Sequence, residues 1–169
     1  MGVAQLNLPQ SPRDAVFRAM EGIVRANPTF QRIVKSSSFR TWQGNPEDAR
    51  EFTFEIAPAL RWTPQPGPVR FLSPSIQVGD LYVNCEILLK GTNVSDLLNF
   101  WSMLETCFYP GPSPVLGPGN NAILLTLQNA GANTGLISFS QPAFDPQPDG
   151  TWLAAAAQLK TEVRVNIQS

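Results

Sequence analysis

A chain of 169 residues is long enough for one domain that buries about 70% of its unfolded surface. Charged residues make up 15% of it, below the usual ~25%, and apolar residues 43%, a balance opposite to that of a disordered segment. Net charge is −1 and there is no histidine, so no overall field favours nucleic acid or an anionic membrane, and the commonest general base and metal ligand are missing.

The first regular element is a helix opening at Ser11-Pro12-Arg13-Asp14. Ser11 can cap it, Pro12 suits the first helical position, and Asp14 meets the positive end of the helix dipole. Val16, Ala19, Met20, Ile23 and Val24 recur at helical spacing, and Asn27-Pro28 should end the run. From Ser37 the period changes to two. Phe39 and Thr41 alternate with Arg40 and Trp42, and Phe52, Phe54 and Ile56 with Thr53 and Glu55. A long strand begins near Ile76 and carries Leu81, Val83, Cys85 and Ile87 on one face. Asn93 or Ser95 then caps a second helix with a stripe of Leu97, Leu98, Trp101, Leu104 and Phe108, stopped by Tyr109-Pro110-Gly111-Pro112. Strands are expected over Ala122–Gln128, Thr134–Ser140 and Thr151–Ile167. The order predicts a single α+β domain over residues 1–169, two main helices lying on a mostly antiparallel sheet.

Prolines cluster. Five lie between Pro58 and Pro74, four between Pro110 and Pro118, and three between Pro142 and Pro148. Residues 57–75 therefore read as a proline-rich loop or arm, long for a connection where ~4–6 residues is usual. It carries Arg61, Trp62, Arg70 and Phe71. Trp62 and Phe71 either fold back onto their own core, or the segment is an arm that docks on a neighbouring subunit, where Trp and Arg are the usual anchors.

Catalytic chemistry finds little footing. There is no histidine to serve as base and no Ser-x-x-Lys, and Cys107 falls inside a packed-looking helix. Cys85 and Cys107 lack CxxC spacing and read as buried thiols of a protein made in a reducing cytoplasm. Met1–Gln10 has neither the basic nor the apolar part of a secretory signal, and no apolar run approaches the ~20 residues of a membrane helix. Gly117-Pro118-Gly119-Asn120-Asn121 is a turn rather than a phosphate cradle, and Glu47, Asp48 and Glu51 suit a solvated helix start better than a cation site. No enzyme activity, metal or cofactor is expected. Charge is uneven: residues 1–40 hold six basic and two acidic groups, and the remainder six basic and eleven acidic. Too few aromatics interleave with the basic groups for a nucleic-acid face, and the two halves could instead be complementary patches between subunits.

The opening amphipathic helix over Pro12–Ala26, the β-rich middle, the helix Val94-Ser95-Asp96-Leu97-Leu98-Asn99-Phe100-Trp101 and the closing Val163-Arg164-Val165-Asn166-Ile167 together resemble the tail terminators of tailed bacteriophages, also called tail completion or head–tail joining proteins. That resemblance implies a virion protein of the tail or neck, assembled in the host cytoplasm. It implies a ring, a hexamer in that family, that caps the tail tube, stops its polymerisation and meets the head connector or stopper protein. The implied partners are copies of itself, the tail tube protein, the connector, and a sheath protein if the tail contracts. Arg61, Trp62, Arg70 and Phe71 are the candidate protein-interface residues. Two other readings stay open: another virion connector or a tube subunit, and a small ligand-binding domain or enzyme with a pocket lined by Trp101 and Phe108.

Overall fold

A computed structural model describes residues 8–41, 57–91, 93–109, 122–146 and 152–165. The first helix, α1 (Pro12–Ala26), forms where expected: Ser11 Oγ accepts from the Asp14 N–H at 3.1 Å, and Val16, Phe17, Met20 and Val24 are buried. Asn27 ends α1 and starts α2 (Pro28–Ile33), its side chain accepting from the Thr29 and Phe30 N–H groups at 3.0 Å. The proline that closes one helix thus takes the first position of the next.

A six-stranded sheet follows: β1 (Phe39–Thr41), β2 (Ala59–Ser73), β3 (Ile76–Lys90), β4 (Ser138–Phe139), β5 (Ala143–Pro146) and β6 (Trp152–Arg164). The order is β1-β2-β3-β6-β4, with β5 also on β6; β1 runs parallel to β2 and every other pairing is antiparallel. The fold is α+β. Residues 52–56 lie outside the described residues.

The proline-rich 57–75 segment is not a loop. Most of it is β2, paired with β3 from Ala59↔Leu88 to Ser73↔Ile76. Proline lacks the N–H a ladder needs, so it survives in a strand only where its nitrogen points away from the partner. Pro64 and Pro66 sit two apart, opposite Val83 and Leu81, and so both turn the same way, away from β3. Beyond Trp62 no described strand pairs with that outer side of β2. Gly67 and Pro68 fall in the register shift between Pro66 and Val69, where no ladder bond is required.

The second helix is α3 (Val94–Phe108), capped by Asn93, whose side chain accepts from the Ser95 N–H at 3.0 Å. Its stripe buries Leu97, Trp101, Leu104 and Phe108 as expected, and also Phe100, Met103 and Cys107; Leu98 faces outward. The strand expected at Ala122–Gln128 is instead a helix, α4 (Ala122–Ala130), packed on α1. A short apolar run fits either period, and packing on α1 decides here. Its Thr126 hydroxyl donates to the Ala122 carbonyl at 2.8 Å, and it stops at Gly131 with φ +121°.

The expected strand at 134–140 shrinks to Ser138–Phe139. Gly135 takes a left-handed φ of +78°, and the Tyr109 hydroxyl occupies Ile137 on both sides, donating to its carbonyl at 2.6 Å and accepting from its N–H at 2.7 Å. Those groups are then lost to any ladder.

The helices cover one face of the sheet. Leu60 and Trp62 of β2, Leu81, Val83, Cys85 and Ile87 of β3, and Leu153, Leu159 and Val163 of β6 join the helical stripes in one buried cluster. The opposite face bears Arg61, Asn84, Glu86, Gln158, Lys160 and Glu162, with a small apolar patch of Ala57, Ala59, Leu88 and Ala154 at one end.

Candidate interaction site

The two Arg–aromatic pairs on β2 meet different fates. Trp62 has no exposed surface. Its ring lies edge-on to Phe39 at 5.2 Å and stacks towards Phe108 at 6.4 Å, with Phe17 also at 6.4 Å. It belongs to the core and cannot anchor a partner. Its Nε1–H has no hydrogen-bond partner among the described residues. Arg61 lies on the other face, its Nε 2.5 Å from Glu86 Oε2.

Phe71, by contrast, is 68% exposed. It shares the end of the β2–β3 hairpin with Val69, Leu72 and Ile76, all exposed, and the four make an apolar tip. Sequence reasoning found Phe71 and missed the other three. The signal was Ser73-Pro74-Ser75, turn residues flanked on both sides by strand formers. Phe71 lies nine positions beyond Trp62 along one strand, roughly 30 Å at ~3.3 Å per residue, so the four candidate residues do not form one site.

Arg70 fixes the hairpin rather than reaching for a partner. Its guanidinium donates to Asp80 at 3.0 Å and also pairs with Glu162 of β6. Lys160 Nζ approaches the other Asp80 oxygen at 3.4 Å, and Asp80 itself is nearly buried. The hydrogen bond to Asp80 raises the Arg70 pKa above its ordinary value. From the helix side, Arg13 donates to the Gly67 carbonyl at 2.7 Å and the Asp80 carbonyl at 3.1 Å. A side chain at Gly79 would collide with the Arg13 guanidinium, and one at Gly67 with the Tyr82 ring. The hairpin is therefore held to α1 and β6 at its base while its tip stays bare.

On the open face, an amide row crosses three strands: Asn84 donates to Gln65 at 3.3 Å and Gln158 donates to Asn84 at 2.9 Å. This polar row lies on the part of the face that no described element covers.

Burial raises both thiol pKa values, that of Cys107 up to about 11, so neither is a ready nucleophile at neutral pH. Among the described residues no group of three or more His, Cys, Asp or Glu could hold a metal ion, and no helix is long and apolar enough to cross a membrane. Glu47, Asp48, Glu51 and the Gly117–Asn121 stretch lie outside the described residues. Trp101 and Phe108 are both buried, with Phe139 packed against each at 5.5 and 6.1 Å.

The fold thus defines an α+β protein with helices on one sheet face, a polar opposite face and an apolar hairpin tip. No protein-family model matches the chain, and no curated protein matches it. Among solved structures, it is similar to a chain in the virion of a native gene transfer agent particle. The identity is 8% and the TM-score 0.41, over 91% of this chain and 95% of that one. A likeness at that level fixes neither register nor function.

Proposed function

We propose that this chain is a structural virion protein of a tailed phage-like particle: a tail terminator that assembles as a ring on the end of the tail tube, stops its growth and meets the head connector. It acts by binding, without catalysis and without a cofactor. The observation that carries this reading is the apolar hairpin tip, held at its base by Arg13, Arg70 and Asp80 and bare at its end. Exposed apolar side chains gathered at the end of a hairpin fastened at its base mark a protein contact. The sequence resemblance to tail terminators supports placing that contact at the end of a tail tube.

The test is tail length. In a particle-producing strain lacking this chain, tails should run past their normal length and carry no heads, and resupplying it should restore both. Normal tails on particles with unfilled or leaking heads would point to a head-side connector instead. If the purified chain alone grows into long tubes, it is a tube subunit.

A further inference from the structure

We infer that copies of this chain join head to tail, the β2–β3 tip of one entering an apolar groove at the opposite end of the next. The groove lies where α2 ends, β2 begins, β3 ends and α3 starts. Leu89 and Phe100 form its floor and Ile33 and Pro58 its walls, with Lys90 and Asp96 on the rim, around a cavity of about 300 Å³. A cavity of ~150 Å³ accepts a benzene ring, so this one has room for the Phe71 ring and an aliphatic neighbour.

Geometry names the occupant. Tip and groove sit at the two ends of β3, thirteen residues apart between Ile76 and Leu89, or roughly 40 Å. No chain can fill its own groove, yet every chain carries both halves of the contact. Neither half repels a copy of the other: the tip's cation, Arg70, is engaged by Asp80 and Glu162, and Lys90 and Asp96 carry opposite charges at the groove rim.

Area points to closure. The four tip side chains offer on the order of 400 Å², about half of the ~800 Å² per partner of a stable pair. An isolated pair should therefore dissociate readily. In a closed ring each subunit makes two such contacts, and such a heterologous contact closes only when its rotation permits. That closure rests on the ring reading above, whereas the contact rests on the two surfaces.

The test uses two exposed positions, Phe71→Ser on the tip and Ile33→Asp on the groove, with circular dichroism confirming that both variants fold. Sedimentation over a concentration series should show wild-type assemblies, and each variant should need at least about tenfold more protein to assemble. An equimolar mixture of the two variants retains one intact tip and one intact groove, so it should reach nothing larger than a dimer, and that only at the highest concentrations. On oxidation, a mixture of Leu72→Cys and Ile33→Cys chains should form a disulfide between copies, because native Cys85 and Cys107 are buried. Undiminished assembly in both variants overturns the contact and leaves the ring reading standing. Loss in only one overturns the pairing of these two surfaces. A wild type that stays monomeric throughout, with no cross-link, overturns the contact and the self-association that a ring requires.

Discussion

Arg61-Trp62 and Arg70-Phe71 look alike in sequence, and the structure uses them oppositely. They sit nine positions apart on one strand, an odd spacing that should put their aromatic rings on opposite faces. The register shift between Pro66 and Val69 cancels that difference. Both arginines therefore lie on the open face, each on a carboxylate, and both rings lie on the helix-facing side. Helix coverage separates them: Trp62 sits under Phe17 of α1 and Phe108 of α3, whereas Phe71 projects beyond the helices. The same pair of residue types stabilises the monomer at one end of the hairpin and presents a contact surface at the other.

The largest break in that comparison should come from Trp62→Ala, which empties the aromatic cluster and should cost about 3–5 kcal/mol in denaturant unfolding. Trp62→Phe should cost markedly less, because it also removes the buried unpaired N–H. Next is Asp80→Asn, which takes the charge from between Arg70 and Lys160 and should cost about 1–2 kcal/mol, since both cations are partly exposed. Loosening the hairpin base should also raise hydrogen exchange at the tip.

The thiols give a smaller and pH-dependent effect. The Cys107 pKa is raised in the folded chain from an ordinary 9.0 to about 11, so the neutral thiol is the form that folding favours. Its contribution is complete below pH 9 and is lost as pH rises towards 11, so the unfolding midpoint should fall over that window and be flatter in Cys107→Ala. A maleimide at pH 7 should label the native chain slowly and the unfolded chain fast. The smallest effect on stability should be that of Phe71→Ser, within about 0.5 kcal/mol of wild type, although its effect on assembly should be large.

How much of this was legible in the sequence follows from which signals were redundant. The α1 helix carried a cap, a first-position proline and a stripe that all agreed, and α3 carried a cap and a stripe. Strand β3 alternated over a length no short helix could mimic. At β2 the prolines argued against a strand, because sequence shows neither that β3 is its one described partner beyond Trp62 nor that Pro64 and Pro66 share a parity with the outer edge. At Ala122–Ala130 the apolar run carried no period, and contact with α1 decided the outcome. Phe71 was visible as an aromatic beside an arginine, yet its exposure depends on where the helices end. The groove brings together Pro58 and residues from three elements, and local sequence carries no trace of it.

Electron cryomicroscopy of tail tubes incubated with this protein would show directly where it sits and how its copies meet. A closed ring should sit on one end of each tube, with the β2–β3 tip of every subunit lodged against its neighbour near Ile33 and Phe100. Protein spread along the tube wall, or tube ends left bare at saturating protein, would contradict it.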